Sequence, residues 1–214
     1  MIEIKELSKL QAKDQVVEVL EHNILSGNFE PGEHLNQVGL AKAMGISRMP
    51  VREALQILEL KGFLEKLPNR YMKVINMDKN SIEEVFRYIC ESEIISWKIL
   101  SEKTSEDMGL QNKLELVIKE SSEKNFNGQL ELELHLSVLD LIGNYFISKN
   151  ISNLLTGFVG FALSQIEEPS IISISYGLNY ILNRDYDKLE EFLNTYYQKL
   201  SISFYRYLED NQNV

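Results

Sequence analysis

Apolar residues recur at three- and four-residue intervals along most of this chain, which predicts a mainly α-helical protein. From Gln11 to Leu25, the residues Val16, Val17, Leu20, Ile24 and Leu25 share one helical face, and Ser26-Gly27-Asn28 supplies a stop. Pro31-Gly32 marks a turn. Leu40, Ala41 and Met44 predict a short second helix ended by Gly45, and a third runs from Ser47, a favoured N-cap type, to Gly62. Pro50 is admissible in its first turn, where the N–H groups lack intrahelical acceptors. Phe63 to Leu67 and Tyr71 to Ile75 read as strands about a Pro68-Asn69-Arg70 turn. Three helices and a hairpin predict an N-terminal winged helix-turn-helix over residues 8–77.

Beyond Asp78 the strand signals fade, and residues 78–214 predict an all-helical bundle. Its helices are expected over Ser81 to Leu100, Met108 to Glu123, Gly128 to Ile142, Ile147 to Gln165, Ser170 to Leu182 and Asp185 to Leu208. In the first, Ser81 and Glu84 have capping-box spacing, and Val85, Tyr88, Ile89, Ser92, Ile95 and Ile99 are expected to form one stripe. Asp78-Lys79-Asn80 is read as a short polar hinge.

The third helix carries candidate chemistry. Arg48 and Arg52 lie four apart and share one face, while Val51, Leu55 and Leu58 fall on the other. In a helix-turn-helix the turn glycine takes a positive φ, and the second helix presents its N-terminal residues to the major groove. Gly45 stands at that turn. Arginines so placed can reach guanine O6 and N7 with two hydrogen bonds, and Asn69 with Arg70 at the hairpin tip could reach the minor groove or backbone. Taken alone, an arginine pair at this spacing reads equally as a solvated face.

Charge at first argues against a nucleic-acid partner, because the chain carries a formal net charge of −10. The acid is unevenly placed. Residues 1–75 hold ten Lys and Arg against ten Asp and Glu, whereas the remainder holds twelve against twenty-two. Residues 42–73 hold seven basic residues against three acidic ones, a local basic patch compatible with DNA. The charged N-terminus and the absence of any apolar run long enough to span a bilayer predict a cytoplasmic protein with no membrane partner. The single cysteine, Cys90, sits in an apolar helical pattern and is expected to be buried and structural.

The residues Ile24-Leu25-Ser26-Gly27, Pro31-Gly32-Glu33, Leu35, Leu40-Ala41, Gly45-Ile46-Ser47-Arg48, Pro50-Val51-Arg52-Glu53-Ala54-Leu55, Leu58, Gly62 and Pro68-Asn69-Arg70 resemble the N-terminal domain of GntR-type bacterial transcription regulators over residues 11–75. The resemblance implies that Arg48 and Arg52 read bases and phosphates, that Ser47, Met49 and Pro50 line the groove contact, and that Asn69 and Arg70 form the wing tip. Tyr71 departs from the glycine usual in the family, which implies either that the wing inserts differently or that Tyr71 replaces the insertion with a stacking contact on sugar. His34 stands where arginine is frequent.

The helical half is similar to the FadR-like branch, through Arg87 and Glu91, Glu131 with His135, and Gly143-Asn144. That resemblance implies an effector-binding and dimerisation domain. Many members hold a divalent metal with a carboxylate and a histidine four apart on one helix and two histidines on later helices. Glu131 and His135 occupy the first pair, while Ile174 and Tyr196 stand where the later histidines would. Two ligands rarely hold a metal tightly, so no metal or other cofactor is expected. An effector pocket is expected instead around Arg87, Glu91, Glu131, His135, Asn144, Ile174 and Tyr196, with His135 hydrogen-bonded to Tyr196; the alternative for His135 is an ordinary packed core histidine.

No nucleophile motif, P-loop, dinucleotide fingerprint or cysteine cluster accompanies Glu131 and His135, so catalysis is not expected. The sequence is read as a homodimeric, effector-responsive repressor that binds a palindromic double-stranded DNA operator; the alternative is a ligand-independent DNA-binding dimer whose helical domain is purely structural.

Overall fold

The computed structural model describes residues 2–68, 71–122, 127–166 and 173–212. Packing divides the chain into two compact units, Met1–Asp78 with Leu208–Val214, and Lys79–Tyr207.

The first unit contains α1 (Ile2–Leu25), β1 (His34–Leu35), α2 (Gln37–Met44), α3 (Arg48–Leu60), β2 (Leu64–Lys66) and β3 (Met72–Val74). Helix α1 begins well before Gln11. Helix α2 begins at Gln37, three residues earlier than the apolar pattern indicates, because extended Asn36 caps it by accepting the Gly39 N–H at 2.7 Å. Gly45 ends α2 in the left-handed region (φ 66°, ψ 26°), as the turn of a helix-turn-helix requires. Ser47 takes the N-cap backbone conformation of α3 but makes no side-chain capping hydrogen bond, contrary to the expectation from its residue type.

The hairpin is part of a three-stranded antiparallel sheet of order β1-β3-β2. Strand β1 is only two residues long, too short for alternation to reveal it. Its register sets His34 against Lys73 and Leu35 against Met72, and β2 sets Leu64 against Val74. Leu20, Ile24, Val51, Ala54, Leu58, Phe63 and Val74 are almost wholly buried. Each large apolar side chain among them contributes roughly 1.5–3 kcal/mol relative to exposure. The apolar face of α3 is thereby committed to the core, and its other face is left outward.

The second unit contains α4 (Lys79–Glu106), α5 (Met108–Ser122), α6 (Gly128–Ile142), α7 (Tyr145–Leu154), a π-helical turn (Leu155–Val159), α8 (Gly160–Ser164), α9 (Ser175–Asn183) and α10 (Tyr186–Gln212), whose end is grouped with the first unit. Because α4 starts at Lys79, Ser81 lies inside the helix and the expected capping box is not its N-terminus. The buried stripe of α4 runs through Ile82, Phe86, Ile89, Glu93, Trp97 and Leu100. Tyr88 and Ile95, expected within the stripe, are 63% and 59% exposed. A long helix with apolar residues on more than one face satisfies helical periodicity in either rotation, so the pattern alone does not choose the core face.

Helix α7 starts two residues before the expected Ile147, because Asn144 caps it by accepting the N–H groups of Phe146 and Ile147 at 3.0 and 3.3 Å. The helix expected to run on to Gln165 contains the π turn and resumes as α8. There the packing is close: a Cβ on Gly160 would meet Leu132 Cδ2 at 2.9 Å, and one on Gly128 would meet the Leu163 carbonyl oxygen at 2.5 Å. Helix α9 begins at Ser175; the earlier start at Ser170 lies outside the described residues.

Candidate nucleic-acid interface and buried polar cluster

The outward face of α3 carries Arg48, Met49, Arg52 and Gln56, all exposed, and half-buried Pro50. Val51, Ala54, Leu55 and Leu58 anchor the opposite face in the core. Among the described residues no carboxylate lies within ion-pairing distance of Arg48 or Arg52, and the first turn of α3 holds no acidic residue. Two guanidinium groups at the helix N-terminus therefore face solvent with their donors uncommitted to an internal acid. The same end presents backbone N–H groups and the positive end of the helix dipole, which favours phosphate.

Tyr71 leads into β3 and is 39% exposed, with its ring centroid 6.3 Å from that of His34 on β1. The two positions at which the chain departs from the family pattern are thus neighbours on the sheet. Lys73, directly across from His34, pairs with Glu65 at 2.5 Å. Asn69 and Arg70, expected at the wing tip, lie outside the described residues.

In the second unit Glu131, His135, Ile174 and Tyr196 come together, and all are buried. His135 donates from Nδ1 to Glu93 Oε1 at 2.9 Å, and its Nε2 shares a hydrogen bond of 2.9 Å with the Tyr196 hydroxyl. Glu93 Oε2 accepts from the Tyr197 hydroxyl at 2.8 Å. Glu131 accepts the Ile174 backbone N–H through Oε1 and the Ser173 hydroxyl through Oε2, the latter at 2.8 Å; the Tyr196 hydroxyl is 3.3 Å from Oε1. Glu131 thereby acts, from α6, on the backbone just ahead of α9. Burial first, then the neighbouring carboxylates, push both tyrosine hydroxyls well above their ordinary pKa, so they remain protonated donors at neutral pH.

Arg87 and Glu91 lie apart from this cluster on exposed positions of α4, and Asn144 is spent on capping α7. Glu93, Ser173 and Tyr197 are participants that sequence reading missed. The signal for Glu93 is its place on the buried row of α4, one turn from both Ile89 and Trp97, visible only once that row is identified as the core face. Cys90 is buried, its Sγ 3.6 Å from Asn194 Oδ1, and burial together with Glu91 and Glu93 pushes its thiol up to about 12. A thiol so held is a packed side chain, not a nucleophile. Among the described residues, no cluster of three or more His, Cys, Asp or Glu side chains is placed to hold a metal ion, and no helix is long and apolar enough to cross a membrane.

Residues 12–74 match the family of bacterial regulatory proteins known as the gntR family. Over 140 residues the chain is 26% identical to the uncharacterized HTH-type transcriptional regulator YdhC of Bacillus subtilis (strain 168), covering 64% of this chain and 61% of that relative's length. The fold is similar to that of Lar, described as controlling expression of the Listeria monocytogenes agr system and mediating virulence. That likeness has a TM-score of 0.61 at 17% identity over 91% of this chain and 96% of that one. It is also similar to E. coli McbR/YncC, with a TM-score of 0.55 at 21% identity over 91% and 97% of the two chains. The family and the named relative are regulators, not enzymes. The helix-turn-helix and sheet of the first unit are thus the part of this chain that matches the gntR family of bacterial regulatory proteins, over residues 12–74.

Proposed function

We propose that the chain is a transcription regulator that binds a palindromic DNA operator as a homodimer, most consistent with an effector-responsive repressor acting in the cytoplasm. In this reading residues 8–77 bind DNA and residues 78–214 dimerise and receive the effector. The observation that carries it is the exposed, acid-free N-terminal face of α3, where Arg48 and Arg52 stand free to enter a major groove. Ser47, Met49 and Pro50 would flank them, and Tyr71 with the wing-tip residues Asn69 and Arg70 would contact the adjoining backbone.

For dimerisation, α4 offers Tyr88 and Ile95, seven residues apart on one exposed face. Between them the Ser92 hydroxyl is turned back onto the Tyr88 carbonyl at 2.7 Å, which removes a polar group from that face. A symmetric dimer would carry two heads against two half-sites. Selecting DNA from a random library with the full-length protein, then footprinting the recovered fragments, tests the reading. Recovery of an inverted repeat protected on both halves supports it, and failure to enrich any sequence overturns it. A second reading, a ligand-independent regulator whose helical unit is structural, is favoured by the internally satisfied hydrogen bonding around His135.

A further inference from the structure

The branch that the helical unit resembles implies a divalent metal held by a carboxylate, a neighbouring imidazole and two later imidazoles. The residues of this chain do not fit one. His135 has no ring nitrogen to give: Nδ1 carries the proton donated to Glu93, and Nε2 is engaged by the Tyr196 hydroxyl. Glu131 has both oxygens committed, one to the Ile174 backbone N–H and one to the Ser173 hydroxyl. At position 174 the chain contributes a hydrogen-bond donor from its backbone, the opposite of a metal ligand. At position 196 it contributes a hydroxyl that stays protonated.

We propose that the Glu93–His135–Tyr196–Glu131 chain is a protein-built replacement for the metal ion, joining α4, α6, α10 and the start of α9 by hydrogen bonds where an ion would join them by coordination. Glu93 is the residue that makes the exchange work. An imidazole that has lost its ion would otherwise leave an Nδ1–H unsatisfied at a fully buried site, a loss that a carboxylate acceptor from the facing helix prevents. The same carboxylate satisfies the Tyr197 hydroxyl, so its two oxygens serve two buried donors. Tyr196 completes the line by lying within hydrogen-bond distance of both His135 and Glu131.

The inference is independent of DNA binding, because its readouts concern only this cluster. Full-length protein is equilibrated with zinc, nickel or manganese chloride, dialysed and analysed for metal; the His135 ring-nitrogen NMR signals and the melting temperature are followed with and without zinc. Retained metal well below one equivalent, with His135 signals and melting temperature unchanged by zinc, is expected. Stoichiometric metal that moves the His135 signals overturns the proposal. Glu93→Ala should lower the melting temperature and shift the His135 Nδ1 signal; melting and signals like the parent's would also overturn it. Should Glu93→Ala fail to fold, Tyr196→Phe keeps the ring and deletes one hydroxyl. It is expected to shift the Nε2 signal, and an unchanged signal counts against the proposal.

Discussion

Lys61 Nζ lies 2.7 Å from Glu21 Oε2, and this ion pair, with only 17% and 12% of the two side chains exposed, joins the end of α3 to α1. It spans forty residues of sequence and fixes the helix that carries Arg48 and Arg52. A largely buried pair contributes little against a well-packed apolar alternative, yet losing one partner strands the other charge. Lys61→Ala should therefore destabilise the protein by about 1–3 kcal/mol, and Lys61→Met, which keeps the packed stem, by less. Urea unfolding of the two variants beside the parent checks the order.

Arg48 and Arg52 are exposed and make no ion pair among the described residues, so their loss should leave stability nearly unchanged. Arg48→Ala or Arg52→Ala is expected to weaken binding to the selected DNA by roughly 1–3 kcal/mol and to relax base preference, while the melting temperature stays put. Titration of matched and single-mismatch fragments by fluorescence anisotropy separates a base reader from a phosphate contact, which weakens all sequences alike and lowers the salt dependence.

Ile95→Glu places a charge on the exposed face of α4 beside Tyr88. If that face closes the dimer, the variant should sediment as a monomer at concentrations where the parent is dimeric. Unchanged sedimentation would move the interface elsewhere.

Gly177 sits in α9 where an added Cβ would lie 2.7 Å from the Phe192 ring and 3.2 Å from Trp97 Cζ3. Alanine favours helix, but here the clash outweighs the propensity gain, and Gly177→Ala should cost about 1–2 kcal/mol. Gly45→Ala meets nothing within 4 Å, so its cost is backbone strain at φ 66° alone, on the order of 1 kcal/mol. Thermal unfolding measures both.

The Cys90 thiol is raised from 9.0 to about 12 in the fold. Below pH 9 it is protonated whether folded or not and adds no pH dependence. Between pH 9 and 12 the unfolded chain releases its proton and the folded chain does not, so stability falls as pH rises. Cys90→Ala should flatten that alkaline decline, and the parent's thiol should resist iodoacetamide at pH 8 until the protein is denatured.

Helix α6 is legible in the sequence to the residue, because Asn127 and Gly143 bracket it with local capping chemistry. The turn at Gly45 and the two faces of α3 are legible for the same reason: each is set by residues within a few positions of one another. Strand β1 is not, since two residues acquire strand character only from a partner almost forty positions away. Nor is the core face of α4, because Tyr88 and Ile95 are as apolar as the residues that are buried. The cluster shows the same division. Glu131 and His135 stand four apart on one helix and could be paired on sight, whereas Glu93 enters through tertiary packing alone.

The π turn at Leu155–Val159 gives the α7–α8 path a tolerance to length that differs from the helices around it. Each residue in an α-helix advances the facing by about 100°, so deleting one residue there to restore a regular helix would swing α8 around its own axis by that angle. Gly160 would leave Leu132, and a bulkier neighbour would arrive where no Cβ fits. Among the described helices of the second unit, this stretch is thus the one whose reading frame in space is set by a single surplus residue. Alignments of relatives that place a gap between 155 and 159 would identify bundles packed differently from this one.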